Sequence, residues 1–259
     1  MPIHYLYWNP QDEHKPGLLF AHGFRAHARW WSCIAPFFLS RFRVCALDFA
    51  GMGDSGHRPH YEPELFTRDL VGVIEDARLG PATLIGHSFG GGRVLRACAE
   101  FPELVQRAVL IDSMVNVPGQ PARHPPPLDL RAKKLYPTLE EALERFRLVP
   151  APNATAPYIL DYIARHSLQQ HEQGWSWKFD ANFAPRHNEP DGSLYLQRIE
   201  MPLSFIYGEF SLVVSRERAH AIVRHMRNGH GPIAIPQAHH HLLLDQPLAL
   251  VAALRATLY

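Results

Sequence analysis

Apolar positions along this 259-residue chain follow two rhythms. Short β-rich runs at 5–8, 17–21, 43–47, 82–86, 108–111, 203–207 and 233–235 predict strands. Longer stretches between them carry apolar residues at helical spacing. In 63–79, Leu65, Phe66, Leu70, Val73, Ile74 and Ala77 fall on one helix face; 90–100 and 247–258 predict two further helices, the last opened by Pro247. Strands alternating with helices in this way predict an α/β fold with a mostly parallel sheet covered by helices.

The rhythm breaks after Ser113. Residues 117–127 read VPGQPARHPPP, too rich in proline for a sheet strand or a helix interior. Helical spacing returns at 138–148 and 157–170, and regular alternation resumes near Ile199. A segment of this length between parallel strands predicts an insertion lying over one end of the sheet. The expected division is a core of residues 1–112 and 199–259 and a helical cap of residues 113–198, with the proline-rich bridge as a stiff connector.

Composition narrows the function. With 46% hydrophobic residues the chain can bury one large core. Its 26 basic and 25 acidic residues nearly cancel and leave no footprint for nucleic acid or a membrane surface, so the expected partner is a small molecule. Cys33, Cys45 and Cys98 are an odd set without paired spacing, which predicts free thiols in a reducing compartment. No run is long and apolar enough to span a bilayer and no leader pattern opens the chain, so the expected location is the cytoplasm. Among 17 histidines there is no His-Glu-x-x-His, and His239-His240-His241 is internal. Neither a metal nor another cofactor is expected.

The densest chemical signal is IGHSFGGG at 85–92, a serine among glycines directly after an apolar strand and before a helix. A strand turning into a helix within about two residues forces its apex residue into unfavourable backbone angles, which small neighbours permit. Gly86 and Gly90 supply the room, and Ser88 is raised clear of the sheet as a nucleophile. The N–H of Phe89 then points to where an oxyanion is stabilised at a helix N-terminus.

With this motif the chain resembles the α/β-hydrolase superfamily, of the capped single-domain type. Leu19 to Phe24 (LFAHGF) resembles its strand-to-loop HG segment, and Asp48 to Ser55 (DFAGMGDS) resembles its D-x-x-G-x-G-x-S loop. The resemblance implies a second oxyanion N–H at Phe24. It also implies a general-base histidine seven residues before the proline of the last helix, which is His240, with His241 as the alternative. The family's usual acid position, G-x-x-D after the seventh strand, reads Gly208-Glu209-Phe210-Ser211 here. A serine hydroxyl cannot support an imidazolium as a carboxylate does. Asp112, ending the strand AVLID, is the expected acid and Glu209 the alternative. Asp48 is expected to hold a loop and Asp54 a turn.

These parts imply a serine hydrolase that cleaves small to medium carboxylic esters through an acyl-enzyme. Thioester or carbon–carbon bond hydrolysis with the same residues, and a slow-turnover ligand receptor on the same fold, are the alternatives. Serine at the apex argues against the haloalkane and epoxide chemistries, which need a carboxylate there. Trp30, Trp31, Trp175, Trp177, Phe179, Phe24 and Phe89 tilt the expected substrate toward apolar groups. Arg25 and Arg29 are read as surface charges.

Overall fold

A computed structural model describes residues 1–121, 134–151, 155–181 and 192–259. The strands are β1 (Tyr5–Tyr7), β2 (Gly17–Ala21), β3 (Arg43–Leu47), β4 (Ala82–His87), β5 (Val105–Ile111), β6 (Leu168–His171), β7 (Gly174–Trp177), β8 (Leu203–Gly208) and β9 (Gly229–Ile235). The α-helices are α1 (Pro63–Asp76), α2 (Phe89–Glu100), α3 (Leu139–Leu143), α4 (Pro157–His166), α5 (Gly192–Arg198), α6 (Arg216–His225), α7 (Leu242–Asp245) and α8 (Pro247–Leu258).

Seven strands form one sheet in the order β1-β3-β2-β4-β5-β8-β9. Only β1 runs antiparallel to its neighbour. The central strands are apolar at consecutive positions because both faces are covered. Leu19, Ala21, Cys45, Leu47, Leu84 and Leu110 pack toward α1, α2 and α6. Their sequence neighbours Leu18, Phe20, Val44, Ala46, Ile85 and Val109 face Trp31, Phe38 and α8 on the other side. Cys45 and Cys98 are buried, Cys33 is half-buried, and all three are free thiols. Among the described residues no helix is long and apolar enough to cross a membrane.

Predicted and observed elements differ most at the margins and after Ser113. Strand β9 begins at Gly229 rather than 233, because an edge strand can begin in the polar, Pro232-containing stretch GHGP. The helix expected over 157–170 ends at His166, and Leu168–His171 turns back as a hairpin with Gly174–Trp177. Gly174 at φ +131° makes that turn, and Ser176 is buried between Trp175 and Trp177 with its hydroxyl 2.8 Å from His171 Nε2. The stretch 138–148 holds only the short α3, capped by Thr138 accepting from the Glu141 N–H. Residues 122–127 of the proline-rich bridge lie outside the described residues.

This excursion is tied back to the sheet edge. Phe179 bridges to Met52, the Asp180 N–H donates to the Gly51 carbonyl, and Tyr61 donates to the Asp180 carboxylate at 2.6 Å. Its last helix, α5, packs against α2 and α6. The carboxyl ends of β2, β4, β5, β8 and β9 therefore share one edge, where ligand sites of open parallel sheets form.

Candidate active site

Ser88 joins β4 to α2 with φ +52° and ψ −116°, a conformation that costs a non-glycine residue of order 1–3 kcal/mol. The glycines around it answer to close approach. A Cβ on Gly86 would lie 2.7 Å from the Gly90 carbonyl carbon and oxygen, and one on Gly90 2.5 Å from the Ala21 carbonyl oxygen. A Cβ on Gly91 would collide with the Ser113 side chain. Helix α2 thus rests directly on β4 and on the end of β2, and the Ser88 N–H is fixed to the Ile111 carbonyl at 2.9 Å.

Asp112 follows β5, between the Ser88 apex and the loop after β8, with φ +45°. It is fully buried. Its Oδ2 accepts from the Gly208 N–H at 3.0 Å, and its Oδ1 accepts from the Ser211 hydroxyl at 2.8 Å and faces His240 Nδ1 at 3.3 Å. The Ser211 oxygen in turn accepts from the Val213 and Val214 N–H groups, which directs its proton to Asp112. The structure therefore brings Asp112, and not Glu209, to His240. Glu209 points away and accepts from the Gln237 N–H at 2.9 Å in an exposed position.

His240 is buried and lies between β9 and α7 on a loop held to the end of β8. There the Phe210 N–H donates to the Ala238 carbonyl, and Gly208 admits the passing backbone, since a Cβ would lie 2.7 Å from the Ala238 oxygen. The 3.3 Å separation from Asp112 exceeds the length of a charge-assisted hydrogen bond, as is common before substrate binds. His239 turns aside, its N–H on Asp245 and its ring near Phe210. His241 packs against Trp30 with ring centroids 5.5 Å apart. Burial first, and then the neighbouring His240, holds its pKa down to about 3. His87, directly before the serine, is also buried and depressed by burial and then by the same neighbours. Its Nε2 lies 2.8 Å from the His240 carbonyl, a donor contact that braces the histidine loop against β4.

Ser88, His240 and His241 all line one cavity of about 800 Å³. Phe24 and Phe89 flank Ser88 there, and Gly23 beside Phe24 is close enough that a Cβ would lie 3.5 Å from that of Ser88. Phe89 is the first residue of α2, so its N–H belongs to the first helical turn, whose donors have no intrahelical acceptor. Trp30, Phe146, Trp177 and Phe179 supply much of the apolar wall. Trp31 instead stacks on Phe20 in the core, and Trp175 pairs with Tyr136.

The wall also carries cations. Arg25, read from sequence as a surface charge, is half-buried and lies 4.4 Å from the Phe179 ring centroid. Arg93 is buried on α2 over the Phe89 ring at 4.3 Å, and burial brings its pKa down to about 9, still above neutral. Among the described lining residues there is no aspartate or glutamate. Asp48 lies elsewhere, accepting from the Ala28 and Asp54 N–H groups and from His4, and so holds the loops after β2 and β3.

Sequence reasoning missed Ser211, which it treated only as a lost carboxylate, and buried His87; His241, read as the alternative base, lies beside His240 against Trp30 instead. The signal for Ser211 was its place three residues into the loop after β8, which must approach Asp112, as only the strand order reveals.

A strained serine, a buried carboxylate–imidazole pair and an apolar cavity at the carboxyl edge of a parallel sheet define a hydrolase-type site. The α/β-hydrolase fold family model matches residues 16–247, and the chain belongs to that family. It is similar to the esterase Rv0045c of Mycobacterium tuberculosis, at 23% identity over 94% of this chain and 83% of that protein. It is also similar to the bifunctional esterase/perhydrolase DCH of Acinetobacter calcoaceticus, at 28% identity over 83% and 80%. A solved thioesterase domain from the curacin biosynthetic pathway shares the fold with a TM-score of 0.79 and 21% identity, over 98% of this chain and 95% of that one.

Proposed function

We propose that the protein is a serine hydrolase of carboxylic esters with small to medium, mainly apolar acyl groups. The observation that carries this reading is the His240 imidazole, backed by buried Asp112 and lining the same cavity as the strained Ser88. Esterases at modest identity over most of their length support it.

In this mechanism Ser88 attacks the ester carbonyl while His240 Nε2 takes its proton, and Asp112 holds the Nδ1–H and stabilises the imidazolium that forms. The N–H groups of Phe24 and Phe89 receive the oxyanion, and removing one such donor typically costs about 10²- to 10³-fold in rate. His240 then protonates the leaving alcohol, and water admitted by the same base releases the acid from Ser88.

Residues 113–198 act as a cap on a core of 1–112 and 199–259, supported by Phe146, Leu148, Val149, Trp177 and Phe179 in the cavity wall. The three free thiols support a cytoplasmic setting. The test is a series of p-nitrophenyl esters of increasing acyl length, with Ser88→Ala as control. Serine-dependent turnover with an optimum at short or medium chains is expected. Turnover equal in the control, or none on any ester, contradicts the proposal.

A further inference from the structure

Three imidazoles meet beside Ser88. One ring nitrogen each from His87, His240 and His241 lies within 4.8 Å of the other two, and all three residues are buried. The proposed mechanism uses only His240. Among the described residues His87 Nδ1 has no hydrogen-bond partner, and neither does either nitrogen of His241. The Val149 and Pro150 carbonyls lie near the His241 ring. Even a bond to one of them would leave the second nitrogen of a neutral imidazole as an unused acceptor.

From this geometry we infer that the trio is a binding site for a transition-metal cation, zinc in the first instance, and that the bound ion switches hydrolysis off. This rests on His240 being the base. The donor set selects the metal: three nitrogens and no carboxylate suit zinc, copper or nickel and offer nothing to magnesium or calcium, which need oxygen ligands. Three histidines and a water complete the tetrahedral coordination of zinc at about 2.0–2.1 Å per bond, so the rings must close inward by roughly an ångström. The Asp112 contact to His240 Nδ1 assists this, because a carboxylate on one ring nitrogen orients the other toward a metal as well as toward a serine proton. A lone pair given to the metal is withdrawn from Ser88. Among the described residues one other cluster of this kind, His4, Asp48 and Asp54, is already occupied by the hydrogen bonds that hold its loops.

The experiment separates binding from activity. The whole protein is titrated with cobalt(II), followed by its visible absorption, and with zinc by calorimetry, in the wild type, Ser88→Ala, His241→Phe and His241→Gln. Folding of each variant is checked by its thermal melt. Expected are a single equivalent with tetrahedral cobalt bands, unchanged binding in Ser88→Ala, affinity lowered by about 10-fold or more in both His241 variants, and wild-type ester hydrolysis falling in step with zinc occupancy. No saturable binding, or binding and inhibition that persist in folded His241 variants, overturns the site. Binding at the trio in a protein that cleaves no ester sinks the esterase reading and leaves the metal site standing.

Discussion

Ser88 and Asp112 reach the same sheet edge by opposite routes. The serine apex is local: strand, serine, glycines and helix are contiguous, and Gly86 and Gly90 serve approaches within a few residues or to the adjoining β2 end. The acid is assembled from afar, since Asp112 meets Gly208, Ser211 and His240 across separations of 96, 99 and 128 residues. A contiguous apex fixes where the proposed nucleophile stands. The strand order, with β5 beside β8, brings the loops after both strands to the side of His240 on which Asp112 lies. In this chain the carboxylate sits after β5, and a serine after β8 hydrogen-bonds to it.

The largest effect tests the local half. Ser88→Ala should lower kcat/KM by on the order of 10⁴-fold or more while the melting temperature holds or rises, because the substitution deletes the nucleophile and leaves the packing intact. Gly90→Ala should act on the fold itself. Its methyl meets the Ala21 and His22 carbonyl oxygens, backbone atoms that cannot swing aside, so loss of stability of about 3 kcal/mol or more is expected in denaturant unfolding.

The assembled half yields a smaller effect. Ser211→Ala removes one donor to Asp112 and leaves two N–H groups without their acceptor, a cost of about 1–3 kcal/mol. Activity should fall by roughly 10-fold with KM little changed, and Ser211→Thr should recover part of it. Moving the acid, with Asp112→Ser and Ser211→Asp combined, should restore activity above that of Asp112→Ser alone.

These two halves also explain what could be read in advance. The central strands, the layer helices and the serine apex are local patterns, and they appear where the sequence predicts them. Asp112 was selected over Glu209 by the adjacency of its strand to that of Ser88. Ser211 was missed because its role exists only once β8 is placed beside β5. Leu168 to Gln170 read as the end of a helix because Leu168 continues the apolar spacing of α4, although Gly174 and the Trp-Ser-Trp alternation carry the turn and strand signal.

The smallest effect concerns stability against pH. His22 and His27 are buried and their pKa values are lowered by burial, His27 to about 3. Both rings bind a proton less readily in the folded chain than in the unfolded one, so below about 6.5 the unfolded state binds more protons and stability falls as pH drops. His27 should cost about 1 kcal/mol between roughly pH 7 and 5.5, or about 2–4 °C in melting temperature, and His22 acts in the same direction. His4 works in the other direction: Asp48 raises its pKa, so its contribution is fully present below 6.5 and is lost as pH rises through the raised value. His27→Gln should flatten the acid-side fall and His4→Gln the alkaline-side one.

The proposed catalysis depends on which carboxylate serves His240. The decisive measurement is kcat/KM for a short p-nitrophenyl ester in Asp112→Asn and in Glu209→Gln, each shown to be folded. Expected is a fall on the order of 10³- to 10⁴-fold for the first and less than about twofold for the second. Full activity in Asp112→Asn, or a comparable loss in Glu209→Gln, would contradict it.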